Sequence, residues 1–332
     1  MMVKNFHLVN DLIDKSKNVV LTTHLIPDGD AIGSVLAMSE FIKVKGKEAV
    51  IINHSPTPDN YSFLDLQKQI RVFKENKEEN ITLINNADLI FILDTNELSR
   101  VKSLETHIRN SGAKKICIDH HMGLNGNNFD VIVSDTTVPA TAEILYDYFY
   151  KNNPDFINKK IAEYLYVGIM TDTGSFRYPR TTEKTFLICA DLIKRGVDPV
   201  MIYEKVYCNI SISKVKLLAR FIESLTMHYD NKLVIGIITE QDFKEFNADV
   251  QHVEGFSTFI MNIKNVVAGI VIVELPKSIK LSLRSKGDIK MNEFAKEFNG
   301  GGHVNAAGVS LEKQDVYKVK KTLIESIKNY IN

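Results

Sequence analysis

The sequence predicts an α/β fold in two parts. The first is a domain with a mostly parallel sheet flanked by helices; a helical connector leads to a smaller second α/β domain. Three observations predict it. Over residues 1–150, continuous apolar runs of strand length alternate with segments whose apolar residues recur at helical spacing. Strands that are apolar throughout and separated by helices read as a parallel sheet covered on both faces. Strand signals fade after that region and return from residue 232. The 332 residues are also enough for about two domains of ~150 each.

Each element follows from the local pattern. Residues 19–23 are a short buried strand. Residues 31–45 form a helix, with Val35, Met38, Phe41 and Ile42 at helical spacing. Strands are expected at 49–52, 88–93 and 115–118, with a helix over 98–109. The charged run 74–79 reads as a solvated loop. Helices are expected at 140–150, 157–170 and 183–195, then a long one at 214–225. The second domain shows strands at 233–239, 266–274 and 280–284 and a closing helix at 314–330. The expected boundaries are 1–190 for the first domain, 191–228 for the connector and 229–332 for the second domain.

Composition removes several classes of function. Lys+Arg and Asp+Glu both number 41, so the net charge is zero, and the chain does not coat long duplex nucleic acid by charge alone. A local site for a short anion stays open. With 44% hydrophobic residues, the chain is not disordered. No apolar run reaches the ~20 residues of a membrane helix, and the start, Met-Met-Val-Lys-Asn-Phe-His, has no secretory core. Cys117, Cys189 and Cys208 are odd in number and widely spaced, which fits neither a disulfide framework nor a zinc motif. A cytoplasmic protein with no membrane partner is the expectation.

Four segments carry the chemistry. His24-Leu-Ile-Pro-Asp28-Gly-Asp30 follows the first strand, and Pro27 and Gly29 turn the chain so that the three side chains can converge. Asp94 ends the apolar run Ile90-Phe-Ile-Leu, and Asp119-His120-His121 ends another. Asp172 follows the apolar helix that contains Gly168. Ligands of open α/β sheets bind outside the carboxyl ends of strands, where three of these segments lie. Acids crowded there raise one another's pKa unless a cation compensates. A pair of divalent ions would do so. Two imidazoles with four carboxylates suit Mn²⁺, with Mg²⁺, Co²⁺ or Zn²⁺ as alternatives, and offer no thiolate to a soft metal.

With these residues the sequence resembles the DHH phosphoesterase family, whose name spells Asp119-His120-His121. Leu281-Ser-Leu-Arg284-Ser285 and Gly300-Gly301-Gly302-His303-Val-Asn305 resemble the DHHA-type second domain. The motifs run from residue 24 to residue 308. Within the family, length and architecture are most similar to the branch that acts as nano-RNase and pAp phosphatase. The resemblance implies two Mn²⁺ ions, one held by His24, Asp28 and Asp94, the other by Asp30, Asp94, His120 and Asp172. It makes Asp94, Asp119, His120 and His121 the catalytic set, with Asp119 orienting a ligand histidine. His121, Arg284, Ser285, Gly301, Gly302, His303 and Asn305 would bind substrate, the glycines forming an anion nest. The active site would be a cleft between the domains. Short RNA, pAp or dinucleotides are the implied substrates, and a homodimer is left open. The nearest alternative is a hydrolase of cyclic or linear signalling dinucleotides, which would use the same metal site. A pyrophosphatase is disfavoured by Gly300–His303, and a catalytically silent binder by the complete ligand set.

Overall fold

A computed structural model describes residues 5–124 and 126–331 of the chain. Residues 1–4, on which the expectation about a secretory start partly rests, lie outside the described residues. Two compact units are present, Met1–Asn209 and Ile210–Asn332.

The first unit runs through α1 (Phe6–Lys15), β1 (Val19–Thr22), α2 (Gly29–Val44), β2 (Ala49–Asn53), β3 (Ile70–Val72), α3 (Lys77–Asn85), β4 (Leu89–Leu93), α4 (Glu105–Asn110), β5 (Lys114–Asp119), β6 (Val131–Ser134), α5 (Thr141–Asn152), α6 (Lys159–Asp172), α7 (Glu183–Lys194) and α8 (Pro199–Tyr207). Its strands are ordered β3-β2-β1-β4-β5-β6, and every pairing is parallel. The central strands β1 and β4 are buried at every position, because both faces are covered. Leu21, Phe91, Leu93 and Ile118 face the core shared with α1, α2, α5 and α6. Val20, Ile90 and Ile92 face the opposite core with Ile84 of α3 and Ile108 of α4. Strand order reverses between β1 and β4, so the loops leaving their carboxyl ends diverge and open a crevice.

Two glycines decide how closely the covering helices approach. A Cβ on Gly33 of α2 would lie 2.4 Å from the Tyr164 carbonyl oxygen of α6. One on Gly168 of α6 would lie 2.7 Å from both Ala142 Cβ of α5 and Asp30 Oδ1 of α2. Both distances are well inside van der Waals contact, so these helices meet only because side chains are missing there.

The second unit comprises α9 (Ile212–Glu223), β7 (Thr226–His228), β8 (Leu233–Ile238), α10 (Glu240–Glu245), α11 (Phe256–Met261), β9 (Ala268–Glu274), β10 (Ser278–Ser285), α12 (Met291–Lys296), β11 (Gly301–His303), β12 (Ala306–Glu312) and α13 (Val316–Ile331). The sheet is mixed, ordered β11-β12-β10-β9-β8-β7, with only β8 and β9 parallel to each other among the described residues. One face packs on Phe294 of α12 and Leu323 of α13, the other on Phe221 of α9 and Phe256 of α11.

The α/β class with a parallel sheet and a second sheet agrees with the expectation; several elements differ. The helix expected at 98–109 is a 3₁₀ turn, Leu98–Leu104, followed by the short α4, because the chain breaks at Lys102 (φ 50, ψ −110). That break brings Ser103 Oγ 2.7 Å from His54 Nδ1. The supposed loop 74–79 enters α3, whose first turn carries Glu78 and Glu79, the sign a helix N-terminus favours. The residues expected as a connector are shared out: Leu192, Val197, Ile202 and Val206 join the first core, and Leu217 and Phe221 join the second unit. Cys117 and Cys189 are buried, and Cys208, which caps α8, is exposed. Among the described residues no helix is long and apolar enough to cross a membrane.

Candidate metal centre

The four acidic and histidine segments of the first unit converge at the carboxyl edge of its sheet. His24 leaves β1 and is almost fully buried. Its Nδ1 lies 2.9 Å from the Leu25 carbonyl oxygen, which can only accept, so Nδ1 carries the proton and Nε2 presents a lone pair. That Nε2 is 3.3 Å from Asp94 Oδ2 and 3.9 Å from Asp28 Oδ2. Asp28 caps α2: its Oδ1 accepts from the backbone N–H groups of Asp30 (3.1 Å) and Ala31 (3.0 Å). The cap fixes one oxygen and leaves the other to the centre.

Asp30, in the first turn of α2, is wholly buried. Its Oδ2 accepts from Thr141 N at 2.6 Å and its Oδ1 from Ala142 N at 2.9 Å, both in the first turn of α5. Asp94 directly follows β4 in a left-handed backbone conformation (φ 58) and is equally buried. Its Oδ1 accepts from Thr141 Oγ1 at 3.0 Å and lies 3.6 Å from His120 Nε2. Its two oxygens thus face two different groups of ligands. Burial, reinforced by neighbouring carboxylates, raises the pKa of Asp30 and of Asp94 well above the ordinary carboxylate range.

His120 leaves β5 beside them. Its Nε2 sits 3.0 Å from Asp172 Oδ2, yet neither of its buried ring nitrogens has a hydrogen-bond partner among the described residues. Burial opposes its protonation, but the carboxylates of Asp172 and Asp30 outweigh that and raise its pKa. Asp172 closes α6, at the negative end of the helix dipole. Among the described residues no lysine or arginine pairs with Asp28, Asp30, Asp94 or Asp172. A site with four carboxylates, two buried imidazoles among them and no lysine or arginine partner among the described residues fits divalent cations.

The ligand atoms form overlapping groups, each within 4.8 Å: His24, Asp28 and Asp94; Asp30, His120 and Asp172; and Asp94, His120 and His121. Asp119 departs from its expected role. Its Oδ1 accepts from His121 Nδ1 at 2.8 Å and its Oδ2 from His121 N at 2.9 Å. It therefore orients His121 rather than His120, because the tight turn after β5 brings back the second histidine of the pair. His121 is partly exposed, and Asp119 fixes its tautomer so that Nε2 is left unprotonated in the neutral ring.

The residues expected to bind substrate lie in the second unit. Arg284 is the penultimate residue of β10, with Nη1 donating to the Leu283 carbonyl. Ser285 Oγ donates to the Ile289 carbonyl at 2.6 Å, and Asn305 Nδ2 to Ser285 Oγ at 3.0 Å and to the Gly287 carbonyl at 2.9 Å. Both polar groups are used in holding the loop 286–290. The expected nest is instead an extended edge strand, since Gly301, Gly302 and His303 form β11 and pair with β12. Gly302 (φ 148) is required there, because a Cβ would lie 2.5 Å from the Ala306 carbonyl oxygen. His303 is exposed.

Two residues escaped the sequence reading. Thr141 bonds both inner carboxylates, and Asn96 Nδ2 donates to the carbonyls of His121 (3.1 Å) and Met122 (3.2 Å), pinning the turn after β5. The available signals were a threonine opening a helix after Pro139-Ala140 and a polar residue two places after Asp94. Neither reveals a partner so distant in sequence.

The chain is similar to known proteins through both of its units. Residues 18–169 match the DHH family, N-terminal domain, and residues 216–329 match the DHHA1 domain. The bifunctional oligoribonuclease and PAP phosphatase NrnA of Thermus thermophilus is 27% identical over 310 residues, 93% of this chain and 89% of NrnA. The cyclic-di-AMP phosphodiesterase PdeA of Listeria monocytogenes is 26% identical over 97% of this chain and 49% of its own length. The crystal structure of an exopolyphosphatase-related protein from Bacteroides fragilis has a TM-score of 0.86 and 29% identity, covering 100% of this chain and 99% of that one. Matched through both of its units, with the motif Asp119-His120-His121 set at the edge of the first sheet, this chain belongs to the DHH phosphoesterase family of hydrolases.

Proposed function

We propose that the protein is a Mn²⁺-dependent two-metal phosphoesterase that hydrolyses short RNA oligonucleotides and 3′-phosphoadenosine 5′-phosphate to mononucleotides. One observation carries the two-metal part: the buried Asp94 carboxylate turns Oδ2 to His24 and Oδ1 to His120, so it can serve both ligand groups at once. His24, Asp28 and Asp94 would hold one ion, and Asp30, Asp94, His120 and Asp172 the other. Two divalent ions held there supply Lewis acidity and a water activated for in-line attack at phosphorus. The protein's own groups do the rest. Asp119 holds His121 so that Nε2 can meet a phosphate oxygen, and in its protonated form donate to it. Arg284, through its planar fork, and the exposed His303 recognise a further phosphate. Gly301 and Gly302 keep that strand free of side chains, while Ser285 and Asn305 position the adjoining loop.

The similarity to NrnA across almost the whole of both chains supports the choice of substrate. A second reading, hydrolysis of cyclic or linear signalling dinucleotides, draws on the similarity to PdeA. The test is kcat/KM with Mn²⁺ for pAp, an RNA ladder from the dinucleotide upward, cyclic di-AMP and pApA. Cleavage of pAp and the shortest RNAs, with rates falling as RNA lengthens, supports the first reading. Preference for cyclic di-AMP or pApA over both replaces it with the second.

A further inference from the structure

We propose that Thr141 is a positioning residue of this centre, whose hydroxyl sets the rotation of the Asp94 carboxylate and thereby divides its two oxygens between the two ligand groups. The proposal rests on the two-metal reading above. The terminal torsion of an aspartate is broad and nearly two-fold, so a buried carboxylate is oriented by its donors rather than by its rotamer. Among the described residues Thr141 Oγ1 is the side-chain donor that Asp94 has, at 3.0 Å on Oδ1. With Oδ1 fixed on that side, Oδ2 falls 3.3 Å from His24 Nε2.

The hydroxyl is available because of where Thr141 stands. It is the first residue of α5, and the cap position before it is Ala140, which offers no side-chain cap. A threonine one place earlier would spend its oxygen on the helix. Here it is wholly buried and reaches into the centre instead. The backbone adds to this: Thr141 N and Ala142 N hold the two oxygens of Asp30. The first turn of α5 therefore ties together two carboxylates that arrive from β4 and α2.

Two variants separate the hydroxyl from the backbone. Thr141→Val keeps the N–H groups and most of the side-chain volume, and Thr141→Ser keeps the donor. Mn²⁺ titration of the full-length, metal-free protein, low-temperature Mn²⁺ electron paramagnetic resonance and metal-free melting are compared with wild type. Thr141→Val should weaken the second Mn²⁺ by about tenfold, the scale of one hydrogen bond to a charged group. Its spectrum should shift from a coupled pair towards isolated ions, and Thr141→Ser should restore both properties. Two coupled ions of wild-type affinity in Thr141→Val would overturn the assignment. So would equal losses of Mn²⁺ binding and metal-free melting temperature in both variants, which would make Thr141 a packing residue. If wild-type protein itself binds no coupled pair, the two-metal reading falls, a result distinct from failure of the Thr141 assignment alone.

Discussion

Asp94 combines three costs: it is buried, it has no lysine or arginine partner among the described residues, and it holds a left-handed backbone at a strand end. Such strain is of order 1–3 kcal/mol per residue and is kept where the surroundings over-determine it. If it bridges two cations, Asp94→Ala should abolish turnover and leave at most one Mn²⁺ per chain by metal analysis; undiminished turnover would refute the bridge. The raised values of Asp30 and Asp94 have a definite sign. Ions bind the deprotonated carboxylates, so Mn²⁺ affinity should rise with pH and binding should release protons, as calorimetry in buffers of different ionisation enthalpy will show. In the metal-free protein both folded values lie above the ordinary aspartate value of 3.8. The folded chain then holds more protons than the unfolded one between 3.8 and the raised values, and stability falls as pH rises through that window. Saturating Mn²⁺ should remove this dependence from the melting curves.

Among the elements, α2 does most to assemble the centre. It brings in Asp28 as its cap and Asp30 in its first turn, and its approach to α6 depends on Gly33. Asp28→Asn should keep the cap and the metal-free melting temperature yet lose Mn²⁺ affinity, because an amide oxygen is a weaker ligand. Asp28→Ala should lose both, with about 1 kcal/mol of stability from the missing cap. Gly168→Ala should cost about 1–3 kcal/mol through overpacking and displace Asp30, seen as lower melting temperature together with weaker Mn²⁺ binding. Elements with a strong local pattern were legible in the sequence: the apolar strands β1, β4 and β5 and the long helices α2 and α6. The short β3 and β6 were not, because, unlike β4, they are not apolar throughout, and only neighbouring strands define them. The strand β11 was hidden for another reason, since Gly301-Gly302-His303 has no apolar alternation at all. At the centre, residue types and order were legible, but the pairing of Asp119 with His121 and the reach of Thr141 depend on turns whose geometry the sequence leaves open.

For the whole molecule, the proposed chemistry is divided between units: the candidate ligand groups belong to the first, and Arg284 and His303 to the second. If that division is functional, His303→Ala should retain both Mn²⁺ ions and raise KM, and a parallel loss of manganese and rate would contradict it. The three cysteines add a practical consequence. Burial pushes the Cys189 thiol up to about 12 and Cys117 higher still, so both stay unreactive in the folded state. Cys208 is exposed one residue before the end of the first unit. A thiol reagent should therefore count one group per native chain and three once the chain is unfolded. The protein thus carries a natural labelling point one residue before the first unit ends, where a single fluorophore could be attached without any engineered cysteine.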